Sequence, residues 1–221
     1  MKPNRLEQLS DGIFAIVMTI LVFEIRLPEL APNITNIELW QGIKHLLPSF
    51  FSYVLSFSML FTYWRAHHFF ISVYAKNIDV RLTNINALFF LLVGLVPFSA
   101  SLLGRHTENE LSIVIFGINT ILIGLCLYWM RSYVFRSKHI QNVEISQKEI
   151  NHGTIRTMVP VFSALLAIVL SLISTKISLV LFTFAVLFNF SKTSTTFFHH
   201  FVKGLSVFFF GSKNQHLYDY E

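Results

Sequence analysis

The chain has little of what a soluble enzyme is built from. Only 13% of its 221 residues are charged, against 53% hydrophobic, and its mean hydropathy is positive. Such a balance is far from that of a soluble globular chain, so lipid is the expected solvent for most of it. A single cysteine, Cys126, sits inside the apolar run from Ile121 to Met130, which excludes an intramolecular disulfide and suits a small buried apolar residue. Catalytic patterns are missing too: there is no His-Glu-x-x-His, no Gly-x-Ser-x-Gly and no phosphate-binding glycine loop. With no nucleophile paired to a base, the expectation is a protein that is not an enzyme and needs no cofactor or metal.

What is present is a series of apolar runs. The first extends from Asp11 to Leu27 before Pro28, the second from about Leu46 to Trp64, and the third from Asn84 to Leu103 with Pro97 inside it. Further runs cover Leu111 to Met130, Met158 to Ile173 and Ile177 to Phe190, the last two joined by Ser174-Thr175-Lys176 as an antiparallel hairpin. Their lengths predict an all-α integral membrane protein with six transmembrane helices in one domain, residues 1–191. The first run reads as a mature helix and not a cleaved signal, because Glu24 interrupts its far end and no small-residue cleavage pattern precedes Pro28. Residues 192–221 form a separate amphipathic C-terminal segment. Its Lys203 and Gly204 would fall near the middle of any span, which favours an interfacial helix over a seventh crossing.

The net charge of +5 comes from basic residues scattered between apolar runs, without the aromatic-interleaved patch of a nucleic-acid binder. Topology explains them instead. Of the 17 Lys and Arg residues only Arg26, Lys44, Arg105 and Lys176 fall on one side of a six-helix arrangement. That asymmetry predicts cytoplasmic N- and C-termini in the plasma membrane.

Ionisable groups in or beside a span are the first candidates for function. In the first helix Asp11 stands at the cytoplasmic start and Glu24 near the outer end. Ser10 and Asp11 are both good capping residues, so a plain N-terminal cap is one reading of Asp11. Between them Ile16, Thr19, Ile20 and Phe23 repeat at i, i+3, i+4, i+7 and form one stripe. The Thr19 hydroxyl could simply bond its own helix backbone. If copies of this helix line a pore, the stripe becomes an apolar constriction at Ile16 with a ring of hydroxyls one turn outward. In the second helix Trp64 suits the headgroup level, and His67 and His68 are too far apart around the helix to share a metal easily. One of them meeting Asp11 is the better reading.

These residues carry a resemblance. Arg5, then three residues, then Leu9-Ser10-Asp11 and Gly12 to Val22 resemble the Arg-x-x-x-Phe-Ser-Asp signature and pore helix of the transmembrane protein 175 family of potassium channels, in its bacterial single-repeat form. Tyr63-Trp64 with His67-His68, Asn84, and Pro97-Phe98 with Ser101-Leu102-Leu103-Gly104 extend the likeness over the first half of the chain. The second half is similar only in hydropathy and length. Leu9 in place of the signature phenylalanine is one departure, and Phe23 in place of a smaller aliphatic residue is another.

The resemblance implies a homotetramer with helix 1 of each subunit around a central pore and potassium as the permeant ion, flowing passively as through a leak channel. By position, Ile16 would be the narrowest point, Thr19 the hydroxyl layer, and Ile20 and Phe23 further lining. Arg5, Ser10, Asp11, Trp64, His67, His68 and Asn84 would form a structural polar network. A proton-coupled secondary transporter is the main rival, although it should show midplane carboxylates, broken helices and repeats. A non-transporting membrane scaffold is the other, and for it the stripe would be ordinary helix packing.

Overall fold

The structure is a computed structural model that describes residues 3–26, 33–137, 139–140 and 147–188. Its first helix, α1, spans Pro3–Ile20 and tightens into a 3₁₀ turn at Leu21–Glu24. A short helix α2, Asn36–His45, leads into α3, Leu47–Phe69, which ends in a π turn at Phe70–Tyr74. Then come α4 at Val80–Gly94, α5 at Val96–Arg105, α6 at Glu110–Arg136, α7 at Gln147–Ser171 and α8 at Thr175–Phe188.

Three of these segments are long and apolar enough to cross a membrane: Pro3–Glu24, Val80–Arg105 and Glu110–Arg136. α2 and α3 count as a fourth only if the pair, bent by 42°, is taken as one span, and Thr157–Ser171 and Thr175–Phe188 are shorter apolar helices. The expected segment 192–221 lies outside the described residues.

Two boundaries differ from the sequence expectation for a physical reason. α1 begins at Pro3, eight residues before Asp11, because a proline fits the first helical position, where the missing N–H has no partner to lose. Ser10 and Asp11 are therefore interior residues and do not cap the helix. The third run is one candidate span, Val80–Arg105, built of two helical pieces. Pro97 is the second residue of α5 and cannot donate to the carbonyl one turn back, so the chain breaks at Leu95. The same device, Pro48 after Leu46, separates α2 from α3.

Lipid gives helices no hydrophobic reason to associate, so close approach and hydrogen bonds must do it. Ser52 Oγ of α3 donates to the Ala100 carbonyl of α5 at 2.7 Å, and Tyr63 Oη donates to the Thr120 carbonyl of α6 at 2.9 Å. Ser178 Oγ joins α8 to the Ala167 carbonyl of α7 at 2.6 Å. Cys126 is buried and free, with Sγ 3.6 Å from the Ile85 carbonyl of α4.

The α6–α7 contact depends on Gly124, where an added Cβ would stand 2.2 Å from Val161 Cγ2 and 2.8 Å from Tyr63 Oη. Gly124→Ala should therefore lower the stability of the purified protein by roughly 1–3 kcal/mol, the usual range for overpacking. Thermal unfolding in detergent checks this, and adding Val161→Ala should restore part of the loss. An unchanged melting temperature would mean that α7 does not pack this tightly on α6.

At the other end of α4, Asp79 caps the helix by accepting from the Leu82 N–H at 2.8 Å, and its second oxygen accepts from Tyr133 Oη at 2.5 Å. Burial raises the pKa of this carboxyl, but hydrogen bonds from Tyr133, Leu82 and His139 outweigh it and hold the group below its ordinary 3.8. A depressed carboxyl stabilises the fold above its unfolded pKa and loses that contribution as pH falls through the folded one. Acid unfolding of Asp79→Asn should therefore be less steep below about pH 4 than that of the native chain.

Candidate functional site on the first helix

α1 has two opposite faces. Leu6, Ser10, Phe14, Val17 and Leu21 are buried, spaced by three and four residues, and Phe14 packs on Phe89 of α4 with ring centres 5.9 Å apart. Around the cylinder from this seam lie Ile16, Thr19, Ile20 and Phe23, all exposed; Ile16 is 60% and Phe23 66% exposed. Among the described residues this stripe has no partner. The Thr19 hydroxyl bonds its own backbone, with the Ala15 and Ile16 carbonyls at 2.8 and 2.9 Å. The local reading of this residue is thus realised, and its oxygen keeps its acceptor capacity.

The buried seam carries a polar network to α3 and α4. Asn86 Oδ1 accepts from His67 Nε2 at 2.7 Å, which leaves Nδ1 to accept the Ser10 hydroxyl at 3.0 Å. The imidazole is fully buried and stacks on Phe89 at 5.0 Å, with an interplanar angle of 8°. Beside it, Trp64 Nε1 donates to Asp11 Oδ1 at 2.8 Å. One turn further along both helices, His68 Nδ1 lies 2.9 Å from Glu7 Oε1, which also accepts from Ser72 Oγ at 2.6 Å. The two helices run antiparallel, so Asp11 and Glu7 step down α1 as Trp64 and His68 step along α3.

His67 and His68 thus take different partners, and among the described residues no group of three His, Cys, Asp or Glu side chains could hold a metal ion.

Two residues expected in this network stand outside it. Asn84 is exposed and Asn86 takes its place, because two residues are 200° of helix rotation and only Asn86 shares the buried stripe of Leu82, Phe89 and Val93. Arg5 is exposed and has no polar partner among the described residues. Its position, one turn before Leu9, continues the exposed face of α1 and not the seam. Glu7 and Ser72 were not foreseen. Their signal in the sequence was the four-residue step from Asp11 back to Glu7 and from Trp64 through His68 to Ser72.

Residues 5–97, which hold α1, the network and the α4–α5 break, match the family TMEM175, described as the endosomal/lysosomal potassium channel TMEM175. The chain is related to the TMEM175 family. A potassium channel of Chryseobacterium sp. is 29% identical over 137 residues, covering 62% of this chain and 67% of that protein. Another potassium channel, from Chamaesiphon minutus, is 33% identical over 105 residues, 48% of this chain and 51% of that one. The mouse endosomal/lysosomal proton channel TMEM175 is 26% identical over 143 residues, 64% of this chain and 28% of its own length. The matches thus span half to two thirds of the bacterial relatives and just over a quarter of the mouse protein.

In three dimensions the chain superposes on the crystal structure of a lysosomal potassium-selective channel TMEM175 homolog from Chamaesiphon minutus. The TM-score is 0.71 at 24% identity, over 85% of this chain and 95% of that one. The TMEM175 likeness is therefore one of fold over 85% of this chain, and the family model matches residues 5–97. These relatives are ion channels, not enzymes.

Proposed function

We propose that this protein is a potassium-permeable channel of the plasma membrane, through which ions flow passively along a pore lined by α1. The observation that carries the reading is the exposed stripe of Ile16, Thr19, Ile20 and Phe23 on a helix whose opposite face is fully engaged. In a protein whose relatives are named potassium channels, such a face is best occupied by copies of itself around an axis. Four copies would set Ile16 side chains as a dewettable constriction and Thr19 oxygens as a layer that replaces part of the ion's hydration shell. Ile20 and Phe23 would line the wider mouth.

On this reading residues 1–191 form a six-helix channel domain with both termini cytoplasmic, and residues 192–221 a cytoplasmic amphipathic segment. Ser10, Asp11, Trp64, His67 and His68, with Asn86, would hold α1 against α3 and α4 and take no part in ion contact.

A second reading is favoured by the name of the mammalian relatives: an apolar pore of this kind carries protons. A proton-coupled transporter has less support, because both carboxylates of the Pro3–Glu24 segment that face the bundle, Asp11 and Glu24, are already engaged, Asp11 by Trp64 at 2.8 Å and Glu24 by Arg105 at 3.7 Å.

Potassium and sodium flux into liposomes holding the purified protein separates these possibilities. The native chain should favour potassium, and Thr19→Ala should lose most of that preference while still conducting. Flux that appears only with a proton gradient, or none at all, would overturn the channel reading. Proton flux without potassium flux would leave the pore and change its ion.

A further inference from the structure

Helix α2 has no part in the site described above. It is ten residues long, yet it starts with a complete capping box. Glu38 N–H donates to Thr35 Oγ1 at 3.3 Å, and Glu38 Oε2 accepts from the N–H and the hydroxyl of Thr35 at 2.7 and 2.9 Å. Its start is therefore fixed locally. Gly42 is its one buried residue, so almost nothing among the described residues covers it.

At 100° per residue, Leu39, Ile43, Trp40 and Ile37 fall on one half of the cylinder and Glu38, Gln41 and His45 on the other. Ile37 is 71%, Trp40 58% and Ile43 41% exposed. The apolar half runs on into exposed Leu47, Phe50 and Phe51 at the start of α3.

Depth follows from length. The 23 residues of α3 rise about 35 Å, which exceeds a hydrocarbon core of about 30 Å. That length alone can cross the core, and α2, bent 42° away from α3, is left at the end opposite the Asp11–Trp64 contact. There Lys44 Nζ stands 5.7 Å from the centre of the Trp40 ring, and among the described residues it has no carboxylate within ion-pair distance. The one acid of the helix, Glu38, is engaged by Thr35. A lysine with an apolar stem beside an indole, at headgroup depth and with no acid to answer it, is complementary to a phosphodiester.

We infer that α2 is a membrane-surface anchor that rests its apolar half on the acyl boundary and binds a phospholipid phosphate with Lys44 beside Trp40. It needs only that the chain sit in a bilayer, so its failure would leave the pore reading untouched.

The test uses the full chain in phosphatidylcholine liposomes, with or without phosphatidylglycerol, and takes the Trp40 signal as the difference between the native chain and Trp40→Phe. Lipids brominated near the headgroup end of the acyl chain should quench that signal more than lipids brominated near the bilayer centre. Phosphatidylglycerol should shift its emission, Lys44→Gln should abolish the shift, and soluble glycerol phosphate should produce none. Ile43→Trp in the Trp40→Phe background should report the same depth, which guards against a fault of one variant. A Trp40 signal that neither lipid quencher reaches would overturn the proposal in favour of a second copy or another segment over this face. A shift that survives in Lys44→Gln, or that glycerol phosphate alone produces, would overturn the lipid-phosphate contact.

Discussion

Ile16→Asn should raise potassium flux through the reconstituted protein, more than any other single change on α1. Ile16 is the exposed apolar residue one turn before Thr19, and in the proposed ring of copies its side chains would meet with nothing polar between them. An ion crossing such a ring must enter it poorly hydrated. An amide in each copy would keep water in the constriction, and removing as little as about 1.4 kcal/mol of barrier multiplies the rate about tenfold. Flux of a fluorescent-indicator liposome preparation gives the readout, with the same variant's circular dichroism as a control for folding. Unaltered flux in a folded Ile16→Asn protein would place the narrowest point elsewhere. Ile20→Asn and Phe23→Asn should act in the same direction and more weakly, since in the proposed pore both would stand nearer the mouth.

The second large effect is on stability. His67→Ala should destabilise the protein by about 3 kcal/mol or more, the level reached when a core side chain is truncated and buried polar partners are left unpaired. The change strips Ser10 and Asn86 of their common partner, opens a hole against Phe89, and weakens three helices at once. Thermal unfolding in mild detergent measures it. His67→Gln, which can keep one of the two hydrogen bonds, should lose clearly less. If His67→Ala melts like the native chain, the network is decoration and α1 is held by its apolar seam alone.

The membrane class of this chain was legible because hydropathy needs no long-range information. A run such as Leu111 to Met130 is apolar whichever helix it meets, and it lies inside α6 as observed. The seam of α1 is legible in part, since the family resemblance groups Ser10, Asp11, Trp64 and the two histidines, which hydrogen bonds and close contacts place along one seam.

What the sequence hid was rotation and breakage. Asn84 and Asn86 are equally polar on the page, and only the buried spacing of Leu82, Phe89 and Val93 distinguishes them. Arg5 belongs to the same motif as Ser10, yet it emerges on another face of the helix. Pro97 marked a disturbance in the third run, but not that the chain would restart as a separate helix at Val96. The bend that frees α2 has the same cause at Pro48.

The backbone bond of Thr19 has an electrostatic corollary. Its one proton already lies on the Ala15 and Ile16 carbonyls, so the oxygen shows only electron density to whatever approaches from outside. A circle of such oxygens attracts cations and repels anions without a formal charge. Because the helix itself fixes the rotamer, the sign of that preference would be built into every copy before assembly. Serine at this position should keep the sign, and valine, its isostere without the oxygen, should erase it.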